Sequence, residues 1–204
     1  MTIAIVIITS IISIIAFNNP DLFARLQFNP YQVYHRKEFY RLFTHAFLHA
    51  DWIHLIVNML VLFSFGMAVE GYFDQLAAGG YLAHPKLSYL ILYVSSVIIS
   101  SLVTLFKHKD NAWYNSVGAS GAVSAVLFTS IFFAPMHKVL FYAILPIPGI
   151  IFGVLYLIYS QYMSRRNRDN INHDAHFVGA VFGFIYPLFI DPSLFSWFIS
   201  QVFH

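Results

Sequence analysis

The chain has 204 residues, of which 59% are hydrophobic and only 10% are charged, and its mean hydropathy is +0.68. Soluble domains contain about 45 to 50% apolar and 25% charged residues, so this composition excludes an ordinary soluble protein and indicates a polytopic membrane protein. The formal net charge of +2 gives no reason to expect a nucleic acid partner. Because the chain has no cysteine, disulfides, thiol catalysis and cysteine-ligated zinc are excluded.

Six apolar segments follow one another along the chain, and several are shorter than the about 20 residues that cross hydrocarbon unaided. The predicted spans are Ile3–Phe17, Ile53–Val69, Leu87–Phe106, Val117–Ala134, Gly149–Met163 and Ala175–Ile190. The first lacks the basic flank and the cleavage site of a signal peptide, so we interpret it as a retained span. The sequence therefore predicts an all-α membrane protein, a bundle of six transmembrane helices in a single domain over residues 1–204, without a separate soluble domain.

Three segments outside these spans are predicted to lie at the membrane interface. Asn18–Asp51 places aromatic residues at helical spacing among charges, which is typical of the headgroup region. It is either a simple anchor or a partly embedded loop beside an active site. Met136–Pro148 is apolar, but Pro146 and Pro148 break a helix. The aromatic tail Pro192–His204 is predicted to be interfacial as well.

The stretch GASGAVSA, residues 118–125, contains a cluster of small residues where the fourth apolar run starts. In a membrane helix such residues usually form a seam for close helix packing. The alternative is that Ser120 is a nucleophile to which Gly118 and Gly121 leave access. A helix from Ser120 to just before Pro135 would be about 22 Å long, short of the roughly 30 Å of hydrocarbon. Ser120 would then lie at a helix N-terminus, whose free N–H groups favour an oxyanion.

Polar residues mark two further spans, and polar groups in lipid usually face a cavity or a partner. His54 and Asn58 stand four residues apart and share one face of the second span. In the sixth span His176 shares a face with Gly179 and Gly183. Each set alone is equally consistent with ordinary helix packing.

Taken together, these residues offer the parts of a serine protease from three helices. Ser120 supplies a nucleophile, His176 a base, and His54 with Asn58 the donors for an oxyanion. Gly121 and Gly179 would let the two helices approach until Ser120 and His176 form a hydrogen bond. The ten histidines include no HExxH pair, so no metal or cofactor is expected.

The ordered set of motifs resembles the rhomboid intramembrane serine proteases. It consists of Tyr40-Arg41, FTHAFLHADWIHLIVN, Gly66 and Glu70 in GMAVE, Gly118-Ala119-Ser120-Gly121, and Ala175-His176 with Gly179 and Gly183. The resemblance implies a six-helix fold with Ser120 as nucleophile and His176 as general base. The backbone N–H of Ser120, with His54 and Asn58, would form the oxyanion hole. It also implies substrates that are transmembrane helices in the same lipid bilayer, cleaved near one membrane face at small residues.

Two positions depart from the family pattern. Tyr40 stands where a tryptophan commonly precedes the arginine, and Ser124 stands where many bacterial members have an aromatic that stacks on the catalytic histidine. We expect another ring to replace it, and Tyr114 and Phe177 are the nearest candidates in sequence.

His173 is the rival base, three residues before His176. It is predicted to lie above the helix start, which Asn172 or Asp174 would cap. The Asp174 carboxylate points to another face than His176.

Charge and resemblance disagree about orientation. With a cytoplasmic N-terminus, Lys86 and Lys138 lie inside, while the outer loops carry nine cations, so the positive-inside rule favours the reverse. The nine are Arg25, Arg36, Lys37, Arg41, Lys107, Lys109, Arg165, Arg166 and Arg168. We follow the resemblance, which implies an extracytoplasmic opening of the site and a bacterial inner membrane.

Three function classes follow from the sequence. An intramembrane protease is favoured by the intact Ser120 and His176, and a catalytically silent scaffold that binds transmembrane helices is the alternative. A transporter or channel would need polar residues along a through-path, whereas these cluster toward one end of their helices.

Overall fold

The structure is a computed structural model that describes residues 1–141, 144–166 and 171–203. Its helices are α1 (Thr2–Phe17), α2 (Pro20–Leu26), α3 (Pro30–Arg36), α4 (Arg41–Thr44), α5 (Trp52–Ala78), α6 (Pro85–His108), α7 (Ser120–Phe133), α8 (Gly149–Arg166), α9 (His173–Ile190) and α10 (Leu194–Phe203). A 3₁₀ turn covers His45–Phe47, and strands β1 (Lys138–Phe141) and β2 (Leu145–Pro148) pair antiparallel. Arg168, one of the nine cations counted above, lies outside the described residues, as does His204.

Each of the six predicted segments falls on one helix. Among the described residues, three helices are long and apolar enough to cross a membrane, namely α5, α6 and α9. The apolar helices α1 and α7 are shorter, with 16 and 14 residues. The mostly helical membrane fold is therefore confirmed, while length and hydropathy support a crossing for only three of the six predicted spans.

The first loop is more ordered than its sequence suggested. Two Asn-Pro pairs start α2 and α3, and the Asn19 and Asn29 side chains cap them by accepting N–H bonds of 3.0 and 2.9 Å. The buried Arg41 side chain donates to the carbonyls of Ala24 and Gln27 at 2.9 and 2.8 Å. Its bond to Glu38 holds the pKa of that carboxyl below the usual value.

The centre of the bundle is α7, whose residues from Gly121 to Phe133 are all buried. Its closest neighbour is α9, and glycines make this approach possible. A methyl group on Gly179 would overlap the carbonyl of Gly121, and one on Gly183 would overlap the backbone of Ala125. Contact between backbones replaces the hydrophobic effect, which is absent between helices in lipid.

The peripheral helix α1 is tied to the bundle by polar groups. The Thr2 N–H donates to the Glu70 carboxylate at 2.5 Å, and its hydroxyl donates to the Tyr89 hydroxyl at 2.8 Å. Gly66 lies directly beneath this contact, where any side chain would strike Tyr89 and Thr2. The two residues of the GMAVE motif therefore hold α1 against α5 and α6.

The segment that joins α7 to α8 is a hairpin rather than an irregular chain. Two backbone hydrogen bonds close its base. The Gly149 N–H donates to the His137 carbonyl at 2.9 Å, and the Ile150 N–H donates to the Pro135 carbonyl at 2.8 Å. The tail forms α10, which packs on the bundle through Leu194 and Phe198.

Candidate active site

The structure brings Ser120 and His176 into contact. Ser120 is the first residue of α7 and His176 lies in the first turn of α9, where the Asn172 side chain caps the helix. The Ser120 Oγ and the His176 Nε2 are 2.7 Å apart. The close approach of Gly121 and Gly179 permits this distance, because a side chain on Gly179 would strike the Gly121 carbonyl and separate the two helices.

The chain that leads into Ser120 is fixed by the first loop. Ser116 and Phe28 exchange two backbone hydrogen bonds of 3.0 Å, and the Gly118 N–H donates to the His45 carbonyl at 3.0 Å. Gly118 has a φ of 120°, which side-chain-bearing residues rarely adopt. A Cβ there would also lie 2.9 Å from the His54 ring. The first loop thus contributes directly to the surroundings of Ser120.

His54 presents one edge of its ring to this chain. Its Nδ1 accepts the Ala50 N–H at 3.3 Å, so a neutral ring carries its hydrogen on Nε2, beside Gly118. Asn58 lies one turn further along the same face, buried, and its amide donates one hydrogen to the His54 carbonyl at 3.0 Å. The structure thus places the His54 N–H donor next to the backbone before Ser120.

Two further histidines of the first loop are buried close by. The His45 Nε2 contacts the Ser101 hydroxyl at 3.0 Å, and the His49 Nδ1 contacts the Ser13 hydroxyl at 2.9 Å. Burial lowers the pKa of His45 to about 4 and that of His49 to about 3. The His49 ring meets the His54 ring edge-on at 4.9 Å and remains uncharged at neutral pH.

The sequence missed Tyr156, a residue of α8. Its hydroxyl is 2.6 Å from the Ser124 Oγ, and its ring lies 6.3 Å from the His176 ring at an interplanar angle of 25°. The prediction that Tyr114 could stack on His176 is wrong, because the Tyr114 ring stacks on His108 with the ring centroids 3.9 Å apart. Phe177 instead lines a groove on the α8 side with Leu157 and Tyr162. A serine at position 124 was the only sequence signal, since it leaves room for a ring from another helix.

The remaining polar residues of α9 lie beside the pair. The buried His173 ring meets the His176 ring edge-on at 5.8 Å and the Tyr159 ring at 5.6 Å. The Asp174 carboxylate forms an ion pair with Lys107 at 2.8 Å and also accepts a hydrogen bond from Ser164. Asp174 therefore joins α6, α8 and α9.

A serine hydrogen-bonded to a histidine within a helical membrane bundle is the arrangement expected of an intramembrane serine hydrolase. Comparison with known proteins identifies the family. Residues 36–192 match the rhomboid domain, so the chain belongs to the rhomboid family. It is similar to RHOMBOID-like protein 12, mitochondrial, of Arabidopsis thaliana, with 29% identity over 143 residues, which is 68% of this chain and 43% of the relative. Rhomboid protein 1, mitochondrial, of Saccharomyces cerevisiae is 27% identical over 161 residues, 73% of this chain and 41% of the relative.

The chain thus spans about two fifths of the length of these curated relatives. The names of both relatives place them in mitochondria. The expected bacterial inner membrane therefore has no support from these comparisons, while an integral membrane location does.

Proposed function

We propose that this chain is an intramembrane serine endopeptidase that cleaves transmembrane-helix substrates near one membrane face. The observation that carries this proposal is the 2.7 Å contact between the Ser120 Oγ and the His176 Nε2. In acyl transfer the histidine takes the proton of the serine hydroxyl as the oxygen attacks the carbonyl, and later returns it to the leaving amine. Family membership supports the same chemistry.

The start of α7 and one face of α5 supply the oxyanion hole in this proposal. The Ser120 backbone N–H is free of the helix ladder at the first turn, and the positive end of the helix dipole adds to it. The His54 Nε2–H beside Gly118 and the Asn58 amide are the side-chain donors. Such donors act strongly where water is excluded, because the local dielectric constant is low.

The proposed membrane arrangement uses α1, α5, α6, α7, α8 and α9 as six spans. At 1.5 Å per residue, α7 is about 21 Å long and places Ser120 below one face of the hydrocarbon. That face also carries Lys107 and Lys109, which by the positive-inside rule favour the cytoplasm. We follow the family resemblance and assign the face to the extracytoplasmic side. A periplasmic phosphatase fused after residue 111 is expected to be active there, and activity of a cytoplasmic-type reporter instead would reverse the orientation.

The test of the function is covalent labelling together with cleavage. Purified protein in liposomes is treated with a fluorophosphonate probe and, separately, given a transmembrane substrate with a small-residue site. The wild type is expected to label and to cleave, whereas Ser120→Ala does neither. Ser95→Ala is the matched control, because in the described part of the chain that hydroxyl bonds within its own helix, to the carbonyls of Ile91 and Leu92. A folded wild type that neither labels nor cleaves would instead indicate a silent scaffold that binds transmembrane helices.

A further inference from the structure

Among the described residues, helix α8 contacts His176 through the aromatic ring of Tyr156. Half of its residues are exposed, and its fully buried residues are the small Gly149, Gly153 and Ser160. Tyr156 differs from this pattern, because its hydroxyl end points at Ser124 in α7. A helix with little buried surface therefore contributes a directed polar contact next to Ser120.

The direction of the hydrogen bonds can be assigned. The Ser124 hydroxyl donates to the Ser120 carbonyl at 2.8 Å, and this uses its single hydrogen. The Tyr156 hydroxyl must then be the donor in its 2.6 Å bond to the Ser124 Oγ. A chain of two hydrogen bonds thus runs from α8 through Ser124 to the backbone of Ser120.

The Tyr156 ring is held in place and faces the base. The centroid distance of 6.3 Å to His176 and the angle of 25° lie within the range of offset-stacked pairs. Phe128 and Phe152 pack on the ring at 5.6 and 6.0 Å. A ring fixed at its hydroxyl and on its sides restricts the orientations open to the imidazole.

We propose that Tyr156 is the positioning residue of the general base, with Ser124 as its anchor. The ring sets the plane of the His176 imidazole so that Nε2 faces the Ser120 Oγ. This inference rests on the proposed protease function. Because the serine, the histidine and the ring come from α7, α9 and α8, alignment of the base depends on α8 being docked against the other two helices.

The first test compares single substitutions in proteoliposomes. Tyr156→Leu is expected to lower kcat about two- to tenfold, the range of one aromatic stack, with an unchanged KM and a displaced acid limb in the pH profile of kcat. Tyr156→Phe keeps the ring and is expected to retain most of kcat. Tyr162→Leu is the matched control, since that tyrosine lies exposed on the same helix. Wild-type kcat in Tyr156→Leu, or loss of kcat only in step with loss of thermal stability, would overturn the proposal.

The second test moves the ring to the other helix. In the double variant Ser124→Tyr, Tyr156→Ser the two changes together conserve the total side-chain volume, and volume-conserving swaps are tolerated best. We expect this variant to restore kcat to within about twofold of the wild type. A double variant as slow as Tyr156→Leu would count against a role for the ring.

A readout without turnover separates this proposal from the protease function. Solid-state ¹⁵N spectra of histidine-labelled protein in liposomes, assigned with His176→Ala, report the tautomer and titration of His176. We expect both to differ between the wild type and Tyr156→Leu, and not between the wild type and Tyr162→Leu. Identical His176 signals in all three proteins overturn the proposal even if the wild type cleaves nothing, whereas an inactive wild type with a Tyr156-dependent signal contradicts only the protease function.

Discussion

A hydrogen bond joins Ser120 in α7 to His176 in α9. We therefore expect neither residue to support cleavage without the other. We predict that Ser120→Ala and His176→Ala each reduce substrate cleavage to background, because nucleophile and base act as a unit. Both variants should remain folded, since the close backbone contact between α7 and α9 is made at the glycines and not by these two side chains. The measurement is cleavage of a transmembrane substrate, with the thermal midpoint recorded in the same detergent.

His173 provides the control for that assignment, because it is a buried histidine only one turn away on the same helix. His173→Ala should retain cleavage. An inactive His173→Ala together with an active His176→Ala would show that the wrong histidine was chosen.

His54 and Asn58, the two α5 residues assigned to the proposed oxyanion hole, are expected to contribute to rate without being indispensable. Loss of one oxyanion donor typically lowers turnover about 100- to 1,000-fold. We therefore predict losses of this size in kcat for His54→Ala and Asn58→Ala, each smaller than the loss in Ser120→Ala. Single-turnover cleavage measures the difference. If both variants turned over at the wild-type rate, this face of α5 would serve packing alone.

At the scale of the elements, the contact between α7 and α9 is the most demanding, because Gly179 meets the Gly121 carbonyl directly. Gly179→Val should separate the two helices, which lowers both the thermal midpoint and cleavage, and overpacking of this kind costs about 1 to 3 kcal/mol. Gly71→Ala is the matched control, since a methyl there meets no atom within 4 Å. The measurement is thermal unfolding of the two variants in detergent. Equal thermal midpoints would contradict the claim that α7 and α9 pack closely at Gly179.

The sequence predicted the positions of the long apolar helices well, but it predicted the contacts between elements less well. Long apolar runs predict a helix whatever surrounds them, and the bounds of α6 and α9 differ from prediction by two residues at most. Pro146 and Pro148 indicated correctly that no helix continues, but the pairing with β1 depends on contacts that no local pattern records. Tyr156 escaped notice for the same reason, because its distance from His176 is set by how α8 packs on the bundle.

At the scale of the whole molecule, the buried histidines of the first loop predict a loss of stability in acid. Histidine in an unfolded chain titrates near pH 6.5, whereas burial lowers the pKa of His45 to about 4. The unfolded state therefore binds more protons, so the stabilisation is complete above pH 6.5 and is lost as the pH falls toward 4. We predict a thermal midpoint that is flat from pH 8 to about 7 and declines below about 6.5.

Two variants identify the source of that decline. His45→Gln should make the decline shallower, because His49 still contributes, and the exposed His84→Gln should leave it unchanged. A midpoint independent of pH between 6.5 and 4 in the wild type would exclude the buried histidines as its cause.

The burial of α7 from Gly121 to Phe133 also has a consequence for biosynthesis. Ser120 leaves the ribosome 56 residues before His176, so the proposed nucleophile is made before the proposed base. Until α9 is inserted, the Gly121 surface of α7 remains uncovered and Ser120 has no proton acceptor. On the proposed function, a chain that stops before α9 is therefore unable to cut neighbouring membrane proteins. The order of the helices then delays the proposed activity until α9 has been made.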